Sequence, residues 1–360
     1  MKILHVEAGK HLYGGARQVQ YITEGLAARG IDTPLACARG SEVSRHPPAG
    51  VRVLPIPMGG DGDVGLVLRL ARLIRAERPD LVHLHSRRGA DTWGALAARL
   101  AGVPCVLSRR VDNPESRLAV AFKYRLYAHV ITISEAIRQV LLDEGLAPDR
   151  VSCVRSAVDP APFLKPVDPS AFRAEFRLPQ DALVIGVVAQ MIPRKGHRHL
   201  FAALPGLVEK YHELQVLVFG QGPLLAELRA DVAARKLDGV VHFTGFRHDL
   251  AHWIGGLDLL VHPAEMEGLG VSLLQAAAAG VPVITSRAGG LPEAVLDGVT
   301  GLLCPPADVP ALAAAIDRLA GDAALRHRYG EAGRARILAE FSIDRMVEGN
   351  LAIYHRVLGR

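Results

Sequence analysis

The sequence predicts an α/β protein built from two doubly wound parallel-sheet domains, and three observations carry that prediction. Short apolar runs alternate with segments of helical character, the mark of a parallel sheet. The same rhythm restarts after a proline-dense stretch near the middle of the chain. At 360 residues the chain also exceeds what one hydrophobic core usually supports, so two domains of comparable size are expected.

In the first half the apolar runs are residues 3–6, 81–84, 104–107 and 130–133; in the second they are 183–188, 214–219, 240–243, 257–261 and 281–285. Between the halves, Asp159-Pro160-Ala161-Pro162 and Lys165-Pro166-Val167-Asp168-Pro169 break helices and strands alike. The boundary is expected at residue 165, giving domains 1–165 and 166–342 and a final helix from about residue 343. Residues 66–78 form an amphipathic helix, with Leu66, Val67, Leu70, Leu73 and Ile74 on one arc and Arg69, Arg72, Arg75 and Arg78 on the other side. Two readings of it stay open: peripheral contact with an anionic membrane, or ordinary packing on its own sheet beneath a solvated arginine face.

Composition narrows the function. A formal charge of +5 with 5% aromatic residues lacks the dense basic stripe of a nucleic-acid binder, so nucleic acid is not an expected partner. Cys37, Cys105, Cys153 and Cys304 lie far apart with no CxxC or Cys/His pairing, which points away from a zinc site or a disulfide framework and toward a reducing cytoplasm. No leader-like N-terminus and no apolar run near the roughly 18 residues that span a bilayer are present, so a soluble or peripherally attached protein is expected.

The chemistry is expected at the glycine turns. Glu267-Gly268-Leu269-Gly270-Val271 sets a loop carboxylate and two glycines before a helix that starts at about Gly270. The glycines let backbone approach a ligand, and the helix start aims free N–H groups and the positive end of its dipole at an anion. A carboxylate accepts hydrogen bonds only, so Glu267 suits hydroxyls of that same ligand, which suggests a sugar diphosphate. Pro193-Arg194-Lys195-Gly196 puts two cations after the strand at 183–188, and Gly220-Gln221-Gly222-Pro223 and Gly289-Gly290-Leu291-Pro292-Glu293 add further turns to the same sheet edge. In the first half, Gly14-Gly15-Ala16-Arg17 is a glycine turn opening a helix, where an open parallel sheet binds ligands.

Lys195-Gly196, Gly220-Gln221-Gly222-Pro223, Phe243-Thr244-Gly245-Phe246, Glu267-Gly268-Leu269-Gly270 and Gly289-Gly290-Leu291-Pro292-Glu293 follow one another in the order and at about the spacings of glycosyltransferase family 4, which the second half therefore resembles. The resemblance extends more weakly into the first half through Gly14-Gly15, His83-Leu84-His85 and the run 130–135. It implies the GT-B fold, two Rossmann-like domains facing across a cleft, with acceptor bound by the first domain, nucleotide-sugar by the second, and the final helix crossing back to the first. It also implies retaining hexosyl transfer, a uridine diphosphate sugar being favoured by family frequency.

By the same resemblance Glu267 meets hydroxyls of the transferred sugar, Lys195 the diphosphate, backbone near Phe246 and Arg247 the base, and His85 the reacting sugar, while His83 is a core or supporting residue. Arg194, Gly268, Leu269, Gly270, Val271, Gly14 and Gly15 complete the expected donor contacts. The family's second glutamate, eight residues after the first, is Gln275 here, and its arginine before the lysine is replaced by Gln190, for which Arg194 can substitute. The arginine pairs Arg87-Arg88 and Arg109-Arg110 stand at the ends of neighbouring strands, and guanidinium forks suit phosphate or carboxylate. They point to a saccharide or lipid-linked acceptor, phosphorylated ones included, of cell-envelope or polysaccharide synthesis; the alternative is that a pair caps helices or bridges to acids such as Asp91 and Asp112. No DxD-like acidic pair stands at the site, so neither a metal nor another cofactor is expected. Gln275 and Gln190 keep open a GT-B scaffold with impaired catalysis, and the fold alone keeps open a sugar-nucleotide epimerase.

Overall fold

The computed structural model describes residues 1–12, 14–85 and 89–360, with the backbone alone at residue 119. These residues divide into two compact units, Met1–Ala157 with Ile343–Arg360, and Val158–Ser342. The second unit thus begins eight residues before the expected boundary. The reason is local: Ala161–Phe163 turns as a 3-10 helix, buries Phe163 and packs against helices of the second unit.

In the first unit β1 (Ile3–Glu7), β2 (Leu35–Ala38), β3 (Val53–Ile56), β4 (Leu81–Leu84), β5 (Cys105–Arg109), β6 (His129–Thr132) and β7 (Val151–Cys153) alternate with α1 (Gly14–Ala28), α2 (Glu42–Arg45), α3 (Leu66–Glu77), α4 (Ala90–Ala101), α5 (Arg117–Lys123) and α6 (Glu135–Asp143). The strands pair in parallel in the order β3-β2-β1-β4-β5-β6-β7. Strands β2, β3 and β7 were not among the expected runs. β2 is Leu-Ala-Cys-Ala, small residues with weak strand preference. β3 carries Pro55, tolerated because this strand is at the sheet edge, and β7 is three residues long.

The second unit runs α7 (Pro169–Phe176), β8 (Leu183–Val188), α8 (His197–Lys210), β9 (Leu214–Phe219), α9 (Leu225–Ala234), β10 (Val241–Gly245), α10 (Leu250–Trp253), β11 (Leu259–His262), α11 (Val271–Ala278), β12 (Val283–Ser286), α12 (Leu291–Ala294), β13 (Gly301–Cys304), α13 (Val309–Ala320) and α14 (Ala323–Glu340). Its parallel order is β10-β9-β8-β11-β12-β13. The central strands read as continuous buried Val, Ile and Leu because helices cover both faces of such a sheet. β13, opened by a glycine, escaped the sequence reading too.

The final helix, α15 (Ile343–Leu358), packs along α1 in the first unit, where Met346, Val347, Ile353 and Tyr354 share one buried cluster with Ile3, Ile22 and Leu26. On α3 the leucine arc packs inward: Leu66, Leu70 and Ile74 are buried, Arg69 pairs with Asp63, and Arg75 donates to the Leu100 carbonyl at 2.8 Å. Leu68 remains as its outward apolar residue, 58% exposed. Among the described residues no helix is long and apolar enough to cross a membrane.

Each sheet has one place where strand order reverses. In the first it lies between β1 and β4, in the second between β8 and β11. Loops leaving the carboxyl ends of such a strand pair diverge to opposite faces and open a crevice for ligands. Of the residues singled out by the sequence, Gly14, Gly15 and His85 follow the strands of the first reversal, and Gln190, Arg194, Lys195 and Glu267 those of the second.

Candidate functional site

In the second unit the loop after β8 carries Lys195 and the loop after β11 carries Glu267. The two loops are stitched by a 2.9 Å bond from the Glu265 N–H to the Arg194 carbonyl. Their closeness depends on Gly196, whose φ is 69° and whose added Cβ would stand 1.9 Å from the Pro263 carbonyl oxygen. Lys195 Nζ binds Glu267 Oε2, His262 Nε2 lies 3.2 Å from that same oxygen, and the Gly268 N–H donates to Oε1 at 3.0 Å. Burial pushes the Glu267 carboxyl up, but the His262 bond and the Lys195 charge outweigh it and hold the group well below the usual carboxylate range. It is therefore an anion at neutral pH.

The Gly290 N–H donates to the Glu267 carbonyl at 3.0 Å, tying in the loop before α12. Leu269 is buried and pins the loop, so it offers a ligand its backbone alone. Gly270, at φ 82°, is the N-cap of α11 and provides no side-chain cap, which leaves the first N–H groups of that helix, starting at Val271, without intrahelical partners. Gln275, one turn into α11, is partly buried, and its amide makes no hydrogen bond among the described residues. Gln190 is exposed, and Arg194 is partly exposed beside Lys195. Phe246 is 44% exposed. The Arg247 guanidinium is bound by Asp249 at 2.7 and 2.6 Å and by Glu175 at 2.8 Å, so its side chain is engaged within the second unit.

Two histidines at this site escaped the sequence reading. His262 ends β11 fully buried and holds Glu267 in place. A histidine closing an apolar run five residues before the loop carboxylate was the available signal. His197, buried at the start of α8, has both ring nitrogens without a partner; burial, aided by the charges of His262 and Lys195, lowers its pKa to about 4, so it is neutral.

In the first unit a pocket of about 280 Å³ opens at the β1/β4 reversal, lined among others by Glu7, Lys10, Gly15, His85, Arg110 and Lys123. Gly15 stands beside Arg110, 3.7 Å from an added Cβ, and Gly14 begins α1. His85 is buried, with Nε2 2.8 Å from His5 Nδ1 and Nδ1 3.4 Å from Arg110 Nη2. Burial lowers Arg110 to about 10, against the pull of Glu7, so it stays a cation, and its Nε has no partner. His83 is tied to Tyr354 Oη at 2.6 Å and Ser108 Oγ at 2.8 Å, a supporting position in the core.

Arg109 departs from expectation. Its guanidinium donates to Tyr124 Oη at 2.5 Å, to the carbonyls of Val111 and Asn113, and pairs with Glu115 at 2.9 Å. At 5% exposure its fork is fully engaged in holding the loop after β5, and it offers nothing to an acceptor. Arg87 and Arg88 lie outside the described residues. His5, His83 and His85 place ring nitrogens within 4.8 Å of one another, a set that could gather about a metal ion. The cation Arg110 faces that set, and both nitrogens of His83 and one of His5 already have hydrogen-bond partners. Those donors fit a hydrogen-bonded chain better than a metal.

Comparison with known proteins agrees across both units. The model of group 1 glycosyl transferases matches residues 169–336, and that of Glycosyltransferase Family 4 matches residues 13–162. A 2-deoxystreptamine glucosyltransferase of Streptomyces kanamyceticus is 32% identical over 78% of this chain and 77% of its own. A D-inositol 3-phosphate glycosyltransferase of Mycobacterium bovis is 28% identical over 100% of this chain and 79% of its own. Among solved structures, a glycosyltransferase from Rickettsia africae superposes with a TM-score of 0.87 at 21% identity, covering 99% of this chain and 98% of that one. The Anabaena protein HepE, solved with UDP and glucose, superposes at 0.86 and 21% identity over 98% and 99%.

Proposed function

The chain belongs to glycosyltransferase family 4 and has the GT-B fold, and from that premise we propose that it is a metal-independent, retaining hexosyltransferase that uses a UDP-sugar. One observation carries the reading: an ionised carboxylate, Glu267, held by Lys195 and His262 beside the uncapped start of α11 at the strand-order reversal. The diphosphate of the donor sits against that helix start, with Lys195 and Arg194 as its cations. Glu267 accepts hydrogen bonds from sugar hydroxyls, and its charge stabilises the positive charge that grows at the anomeric carbon as the diphosphate leaves. The acceptor hydroxyl attacks from the face the diphosphate vacates and gives its proton to the departing diphosphate oxygen as the bond from the anomeric carbon to that oxygen breaks, so no protein nucleophile is required. The uridine preference is supported by HepE, whose solved complexes contain UDP or UDP-glucose.

The acceptor is a saccharide or lipid-linked hydroxyl compound bound in the first unit at the His85 pocket. Arg110, a cation with an unpartnered Nε, together with Lys10 supplies a place for a phosphate or carboxylate on it. A relative whose name gives D-inositol 3-phosphate as its substrate supports a phosphorylated acceptor. Release of UDP from a panel of UDP-sugars with such acceptors tests the activity, and the anomeric configuration of the product by NMR tests retention. An inverted product, or no nucleotide release with any donor that binds, overturns the proposal.

A further inference from the structure

We propose that His5 is a positioning residue that, together with Arg110, fixes the tautomer of His85, so that His85 presents a bare Nδ1 lone pair to the first-unit pocket. The starting point is the register of the sheet, in which His5 on β1 stands directly beside His83 on β4, with His85 two residues beyond at the strand's end. The His5 and His85 rings lie edge to edge, 5.1 Å between centroids and 10° from parallel, and share the 2.8 Å contact between His5 Nδ1 and His85 Nε2.

A guanidinium carries donors only. The group 3.4 Å from His85 Nδ1 is Arg110 Nη2, so that nitrogen is the acceptor and the ring proton of neutral His85 sits on Nε2. Nε2–H then donates to His5 Nδ1, which must be bare, and the His5 proton sits on its own Nε2. That nitrogen is buried with no partner. A buried N–H without an acceptor is destabilising, and the chain tolerates it here because moving both protons, although it keeps a His5–His85 bond of opposite direction, would aim the His85 Nδ1–H at the Arg110 guanidinium. Burial keeps both rings neutral, His5 at about 3 and His85 well below the usual imidazole range, so neither gains a second proton that would erase the distinction.

The outcome is a directional chain, Arg110 to His85 to His5, whose one adaptable bond is the long contact from Arg110. A substrate hydroxyl entering the pocket can replace that contact and donate to His85 Nδ1. With the opposite tautomer, His85 Nδ1 would aim an N–H at a guanidinium and could accept nothing from the pocket. This role rests on the transferase reading above, but the tautomer itself does not.

The test has two arms. Nitrogen-15 NMR of histidine-labelled protein, with the His85 signal assigned by its loss in His85→Gln, reads the tautomer without any substrate. The expected result is protonated Nε2 and bare Nδ1 in the unaltered protein, and a shift of that population in His5→Leu. A protonated Nδ1 in the unaltered protein overturns the inference. In the kinetic arm His5→Leu lowers kcat about tenfold or more with donor KM within about twofold, while His5→Asn, whose amide oxygen can stand where Nδ1 stood, recovers to within about threefold. If Asn fails to rescue while Leu is impaired, His5 acts by packing and the inference is wrong. Absence of any turnover in the unaltered protein would refute the transferase reading and leave the NMR result to decide this one.

Discussion

Glu267 is gripped by two side chains, Lys195 from the loop after β8 and His262 from the end of β11, so its neighbours can be tested separately. Removing its carboxylate in Glu267→Ala should lower kcat by about 10²–10³, the scale on which preorganised electrostatic groups act, and a loss of less than tenfold would demote it to a structural acid. Lys195→Met leaves that partly buried anion with His262 and Gly268 alone. The chain should lose roughly 3 kcal/mol in urea unfolding as well as activity, because breaking a buried pair strands its partner. Gln275 is the residue to gain from: Gln275→Glu restores a charged acceptor on α11, and donor affinity measured by calorimetry should rise by up to about tenfold. Of these residues, Glu267 and Lys195 were legible in the sequence because glycines flank them and their order along the chain is characteristic. His262 and His5 were not, since a histidine in an apolar run looks like core until the strand pairing shows what it faces, and His197, between Gly196 and Arg198 at a helix start, carried no apolar signal of burial.

Elements matter here through the loops they hold together. The β8 and β11 loops meet over Gly196, where a Cβ has no room against the Pro263 carbonyl, so Gly196→Ala must part Lys195 from Glu267. Donor binding should fall even where the fold survives, and retention of normal donor affinity would show that the stitching is dispensable. Helix α15 is held partly by the Tyr354–His83 bond. Tyr354→Phe leaves a buried imidazole nitrogen unpaired and should cost about 1–3 kcal/mol in unfolding free energy, with fraying of α15 visible by hydrogen exchange. The long buried strands β8 and β9 were readable from apolar content, whereas edge strands β3 and β7 were not, because half-exposed or very short strands lack that signal. Arg109 shows the opposite failure: an arginine beside an arginine looks like a ligand clamp, and only the loop wrapped around it shows that its donors are taken.

For the whole molecule, the buried histidines set a pH limit. His5 is lowered to about 3, His129 and His197 to about 4, and His83 and His85 well below the usual value, all mainly by burial. The unfolded chain binds protons at these sites from about pH 6.5 downward while the folded chain does not, so stability is fully present above that pH and falls as pH drops toward the folded values. Each such histidine contributes a slope of about 1.4 kcal/mol per pH unit, and urea unfolding at pH 7.5, 6.0 and 5.0 should show a steep decline. A flat profile would mean that the imidazoles reach solvent. The order in which the chain is made adds a different constraint. Residues of β1 and α1 leave the ribosome early, but the surface formed by Ile3, Ile22 and Leu26 is covered by α15, which is synthesised after every strand of the second unit. The second unit, continuous in sequence, can complete itself during translation, while the first must wait with an apolar face open to chaperones or to aggregation until its last helix arrives.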